Sequence, residues 1–273
     1  MKGYDLIAFD MDGTLLTSSN TISPRVKRAV HAVVERGKQV VICTGRSLME
    51  LSDYEEDFKK IRYYICENGT FIYDSFEKKV ISAKQLEPRL LACILEVVEN
   101  QDVMLVYASN GQNITSGKDA RRMEYFHAER YKDLELRTAI LVDDVIKGYQ
   151  EKPVPVEKLN IYSAAVEIRD AIYQAIRHLP VTIVYAEDTG LEVTPLHTSK
   201  GVAFRSLCEY LNISIENAIA VGDSDNDVEM LKSAGLAVAM GNAFPHVKEI
   251  CDVIVSDHDH DGCAEVMEKY IIG

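Results

Sequence analysis

The chain alternates short apolar runs with amphipathic segments of helical period. Leu6-Ile7-Ala8-Phe9, Val40-Val41-Ile42-Cys43 and Tyr63-Tyr64-Ile65-Cys66 are each closed by a polar turn signal. Such runs mark strands buried on both faces of a parallel sheet. Between the first two, Ser23 stands as an N-cap with Pro24 at the first helical position, a common helix start. Val26, Ala29, Val30, Val33 and Val34 then recur at helical spacing, and Gly37 closes the segment. A second helix is expected over roughly 47–60. This βαβαβ order predicts a doubly wound parallel sheet.

From about residue 80 the pattern changes. Segments 102–107, 159–165 and 181–185 predict half-buried strands, interleaved with amphipathic helices near 88–100, 119–130 and 167–178. The βα rhythm resumes at Leu191-Glu192-Val193. A helix at 200–211, a strand at 218–221, a helix at 225–234 and a strand at 236–240 follow. A short helix near 245–250, a strand at 252–255 and a last helix complete the pattern. The expected class is α/β, with a Rossmann-like doubly wound core over 1–81 and 189–273. An α+β domain is inserted at 82–188. No internal repeat or low-complexity tract interrupts this order.

Bulk properties narrow the functional classes. At 273 residues with 47% hydrophobic content, the chain suits one large or two smaller globular domains. A net charge of −13 argues against nucleic acid and anionic membrane surfaces, both of which require clustered Lys and Arg. Met1–Asp5 contain no signal-peptide core, and no stretch reaches the roughly 18 apolar residues of a membrane span. The six cysteines lack a C-x-x-C pair, as expected for buried thiols in a reducing cytoplasm. Monomer and homodimer both remain open.

Four loops carry candidate chemistry. Asp10 and Asp12 follow the first strand, and alternation along a strand would put both carboxylates on one side. In open α/β sheets the C-terminal strand ends bind ligands. One carboxylate there can serve as nucleophile while the other handles protons, with a cation between them. Thr44-Gly45-Arg46 supplies a hydroxyl and a glycine N–H suited to a phosphoryl oxygen. Lys200-Gly201 opens a helix, where a cation opposes the helix dipole and needs solvent or an anion. Gly222-Asp223-Ser224-Asp225-Asn226-Asp227 concentrates carboxylates at a buried strand end. That is costly unless a cation compensates them, and Mg²⁺ is the natural choice beside a phosphate.

In this order the four motifs resemble those of the haloacid dehalogenase (HAD) superfamily of phosphatases, and more narrowly its Cof-like hydrolase branch. Asn68-Gly69, the run Val238–Ala243 and Asp261-Gly262 add to the resemblance. It implies an αβ cap inserted between the second and third motifs. It also implies a Mg²⁺-dependent phosphatase of small phosphorylated metabolites, sugar phosphates foremost, working through an aspartyl-phosphate. Asp10 would be the nucleophile and Asp12 the acid and base. The metal would be held by Asp10, the Asp12 backbone carbonyl and Asp223. Met11 (through its amide), Thr44, Gly45, Lys200 and Asn226 would hold the phosphoryl group. Asp227 would support the metal loop or Lys200. Arg46, with Lys118, Arg121, Arg122 and Tyr125 on the cap, are candidate contacts to the leaving group.

Three alternatives stand beside this. A phosphomutase or phosphotransferase could use the same aspartyl-phosphate. A phosphometabolite-binding regulator would be expected to have lost Asp10 or Asp12, and both are present. Residues 257–268 fit the EF-hand loop pattern, but a strand precedes them where a helix is required, so calcium binding is not expected.

Overall fold

The computed structural model describes residues 3–273; Met1 and Lys2 lie outside it. In chain order, strands β1 (Leu6–Phe9), β2 (Gln39–Cys43), β3 (Tyr63–Cys66), β4 (Phe71–Asp74) and β5 (Lys79–Ala83) come first. The next six are β6 (Val103–Ser109), β7 (Gln112–Ser116), β8 (Ile140–Val142), β9 (Lys158–Ser163), β10 (Val181–Ala186) and β11 (Gly190–Pro195). The chain ends with β12 (Ala218–Gly222), β13 (Leu236–Ala239) and β14 (Val253–Ile254).

Two compact units result. Among the described residues, the first comprises residues 3–45, Tyr54–Ser82 and Ser199–Gly273. Its sheet runs β14-β13-β12-β1-β2-β3-β4-β5. Strand β1 lies between β2 and β12, parallel to both, and every residue of β1 is fully buried. Leu6, Ala8, Val41 and Ile65 pack with Phe204 and Leu207 of the helix Lys200–Tyr210 and with Met230 and Leu231. Because the chain leaves β1 in both directions across the sheet, its C-terminal end is a topological switch point.

The second unit comprises Arg46–Asp53 and Ala83–Thr198. Its mostly antiparallel sheet runs β10-β11-β9-β6-β7-β8. Leu105, Leu159, Ile161, Leu191 and Val193 form a core with Leu91, Ile94 and Leu95 of the helix Pro88–Val98 and with Ile172 and Ile176 of Val166–Ile176. Alternate strand positions carry these residues, as the half-buried reading requires.

Several elements depart from expectation. Residues 191–193, read as the return to the core, lie in β11, which pairs antiparallel with β9 and β10. Thus 189–198 belong with the second unit. Strand β4 runs antiparallel to β3, because Glu67, Asn68 and Gly69 take φ values of 55°, 54° and 97° and reverse the chain. The expected helix 47–60 is a 3₁₀ segment, Met49–Tyr54, followed by one α turn, Glu55–Phe58. There the Glu50 carboxylate accepts a hydrogen bond from the Ser47 N–H at 2.6 Å, half of the capping-box pattern that opens a helical turn. The pattern at 119–130 forms only short turns, broken at His127 with φ 54°. All six cysteines are free thiols. Among the described residues no helix is long and apolar enough to cross a membrane.

Candidate active site

The parallel registers Phe9↔Val221, Phe9↔Ile42 and Cys43↔Ile65 bring the loops after β1, β2, β3 and β12 to one edge of the core sheet. The Asp10 N–H donates to the Val221 carbonyl at 3.0 Å, which ties the first loop to the fourth. Strand β1 ends at Phe9, so strict alternation stops there. Asp10 is buried (4% exposed). Asp12 (φ −81°, ψ 117°) is exposed, and Gly13 turns left-handed at φ 81°. The two carboxylates therefore sit in different environments, one dry and one in contact with solvent. That difference allows the two carboxylates different protonation behaviour.

Lys200 is fully buried. Its Nζ donates to Asp10 Oδ1 at 2.5 Å and to Asp227 Oδ1 at 2.7 Å. Burial opposes the ammonium, but the two carboxylates outweigh it and hold the Lys200 pKa above its ordinary value. Ser199 caps the helix by accepting from the Val202 N–H. The unfavourable dipole at Lys200 is thus met by anions rather than by solvent.

Asp227 reaches both groups named for it. One oxygen takes Lys200, and the other accepts from the Asp223 and Ser224 N–H groups at 3.0 and 3.1 Å. Asp223 Oδ1 accepts from Thr14 Oγ1 at 2.7 Å. Ligand oxygens of Asp10, Asp223 and Asp227 all lie within 4.8 Å of one another. Burial, then the Asp227 charge, pushes the Asp10 carboxyl well above the usual carboxylate range, against the pull of Lys200. Burial likewise raises Asp223.

One lysine therefore faces three carboxylates. The residues fit a hard divalent cation, since an all-oxygen donor set with surplus negative charge is what such an ion compensates. Asp227 has both oxygens engaged, whereas Asp10 and Asp223 each have one oxygen in a hydrogen bond from a side chain.

Thr44 is fully buried, and its N–H donates to the Ile65 carbonyl at 2.8 Å. Arg46 groups with the second unit, whereas Thr44 and Gly45 belong to the first. The cap candidates serve their own unit: Arg121 donates to the Gly117 carbonyl. Arg122 pairs with Asp119 at 3.1 Å and lies over the Tyr125 and Phe126 rings, and Tyr125 donates to Asp102. Lys118 is exposed.

The acids of 257–268 are dispersed. Asp259 accepts from Ser18, Asp261 from Ser23, Glu268 from Arg25, and Asp257 lies against His260.

The sequence reading missed two contacts. Asn242 Nδ2 donates to the Gly13 carbonyl at 2.8 Å, and Asn226 Nδ2 to Asn68 Oδ1 at 3.1 Å. Both asparagines stand in short recognisable motifs, but side-chain partners distant in sequence leave no local pattern. Gly69 has a similar long-range reason. A Cβ on it would stand 2.2 Å from the Ser199 carbonyl oxygen, in a conformation already unfavourable for an L side chain. Gly69→Ala is expected to destabilise the protein by at least about 2 kcal/mol. It should also displace Lys200 and lower turnover, as read by urea denaturation alongside an activity assay.

The haloacid dehalogenase-like hydrolase family profile matches residues 7–267. A 5-amino-6-(5-phospho-D-ribitylamino)uracil phosphatase of Bacillus subtilis is 29% identical over 98% of this chain and 96% of its own length. A pyridoxal phosphate phosphatase of Escherichia coli is 26% identical, covering 98% of each chain. The solved structure of a haloacid dehalogenase-like hydrolase from B. subtilis superposes with a TM-score of 0.83 at 26% identity, over 98% of this chain and 100% of that one.

Proposed function

The chain belongs to the haloacid dehalogenase-like hydrolase family and is a phosphatase, and from that premise we propose that Asp10 carries the phosphoryl group during hydrolysis of small phosphorylated metabolites. The observation that carries this reading is the buried Asp10 at the switch point, held by Lys200 and gathered with Asp223 and Asp227.

An Asp10 carboxylate oxygen attacks phosphorus and the ester P–O bond breaks. Asp12 gives its proton to the leaving alkoxide, so the alcohol departs neutral. Water then attacks the aspartyl-phosphate, Asp12 takes its proton, and the P–O bond to Asp10 breaks to release phosphate. Thr44, Gly45, the Met11 amide, Lys200 and Asn226 hold the phosphoryl oxygens in line, since phosphoryl transfer depends on positioning and charge neutralisation. Mg²⁺ held by Asp10, Asp223 and the Asp12 carbonyl would supply neutralising charge to the phosphoryl oxygens.

These groups address the phosphoryl end alone, so we assign the choice of ester to the inserted segment. The phosphoribitylaminouracil and pyridoxal phosphates named for the two relatives are phosphate esters of small polar compounds, which supports a substrate of that class. Sugar phosphates are the first candidates.

Hydrolysis of an aryl phosphate, followed by a panel of sugar, cofactor and nucleotide phosphates, tests the reading. EDTA is expected to abolish phosphate release and Mg²⁺ to restore it. Ca²⁺ should inhibit, because its larger and looser shell disturbs in-line alignment. Activity surviving exhaustive chelation would remove the metal assignment.

A further inference from the structure

The turn Glu67-Asn68-Gly69 holds three successive residues at positive φ. Two of them bear side chains, and each is disfavoured there by about 1 kcal/mol or more. Such strain persists only where surrounding contacts over-determine it. This turn meets the three other loops that gather at the sheet edge beside the Asp10 loop. The Asn68 N–H donates to the Thr44 carbonyl at 3.1 Å. A Cβ on Gly45 would stand 3.1 Å from Asn68 Oδ1, so that glycine makes room for the Asn68 amide. Gly69 abuts Ser199, the cap of the Lys200 helix. Asn68 Oδ1 accepts from Asn226 Nδ2 at 3.1 Å.

The last contact has a chemical consequence. A primary amide offers one carbonyl oxygen and two N–H donors, and rotation by 180° exchanges them. Asn226 Oδ1 accepts from Ser224 Oγ at 2.8 Å, while one Nδ2 hydrogen is given to Asn68. With Asn68 Oδ1 as its acceptor, the Asn226 amide gives one N–H to Asn68 and keeps the other for a further acceptor. The reverse orientation would set the Asn226 carbonyl oxygen against the Asn68 oxygen and present a repelling oxygen to an anion.

We propose that Asn68 is a positioning residue for phosphate binding. It orients the Asn226 amide so that N–H, and not C=O, meets a phosphoryl oxygen. This rests on the reading of Asn226 as a phosphoryl-binding group.

Asn68→Gly tests it, because glycine keeps the left-handed backbone and removes the amide whose oxygen accepts from Asn226. The readouts are inorganic phosphate affinity by calorimetry, KM and kcat for an aryl phosphate, and the thermal midpoint. Each is taken in the wild-type and Asn226→Ala backgrounds. In the wild-type background the phosphate Kd and the KM are expected to rise about five- to tenfold, the size of losing one net hydrogen bond. The value of kcat should move less than about twofold, and the thermal midpoint should hold. In the Asn226→Ala background the same change should have less than about a twofold effect, as coupling through one shared partner requires.

Equal losses in both backgrounds, or unchanged phosphate affinity, would overturn the proposal. Should Asn68→Gly fail to fold, Ser224→Ala releases the other end of the same amide and is expected to reproduce the weakened phosphate binding, again only when Asn226 is present. Absence of turnover in a wild type that binds phosphate counts against the phosphatase reading alone. Absence of phosphate binding counts against both.

Discussion

Asp10→Asn is expected to lower turnover by about 10³-fold or more while leaving the protein folded, as loss of a covalent nucleophile does elsewhere. The amide matches the carboxylate in shape and keeps an oxygen for the Lys200 ammonium, which lies 2.5 Å from Asp10 Oδ1, but it cannot attack phosphorus. Stability should be unchanged or slightly higher. Burial and the neighbouring Asp227 and Asp223 charges all oppose ionisation of Asp10, and only Lys200 favours it. Removing that charge therefore relieves repulsion among three carboxylates. Steady-state phosphate release and urea denaturation read the two effects separately. Retention of a tenth of the wild-type turnover would rule out the aspartyl-phosphate.

Lys200→Met is expected to have the opposite balance, with a large loss of stability as well as activity. The side chain lies fully buried between Asp10 and Asp227, whose side chains are 6% and 0% exposed. Removing one member of a buried charge cluster leaves the others uncompensated, at a cost of about 3–5 kcal/mol. Methionine fills most of the volume, so the loss reports charge rather than a cavity. The pH dependence follows from the direction of the Asp10 shift. Its carboxyl is already pushed up in the folded protein with Lys200 present, and further so without it. A folded state that binds more protons than the unfolded chain loses stability as pH rises. The variant should therefore regain part of its loss as the pH is lowered towards the range where free carboxylates protonate. Adding Asp227→Asn to Lys200→Met should recover stability without recovering turnover. A Lys200→Met protein as stable as wild type at pH 8 would show that the cluster is solvated, contrary to its burial.

The local pattern of the sequence determined the core strands and the chemistry at their ends. Apolar runs such as Leu6–Phe9 and Ala218–Val221 are read from neighbouring residues alone. So is the placement of Asp10, Thr44 and Asp223 just after strands, because burial on both faces and turn chemistry are short-range properties.

Tertiary structure decided what those groups meet. Nothing local distinguishes a solvated lysine at a helix start from Lys200 enclosed between Asp10 and Asp227, since the partners lie 190 and 27 residues away. The Asn68–Asn226 contact spans 158 residues and sets an amide orientation that no spacing encodes. The same holds for β11. Its alternating pattern specifies a half-buried strand, but whether it returns to the core sheet or pairs with β9 and β10 depends on which sheet edge is within reach. Periodicity records how deeply a residue is buried. The identity of its neighbours is settled only when the chain closes its long loops and the backbone donors and acceptors of each edge find partners.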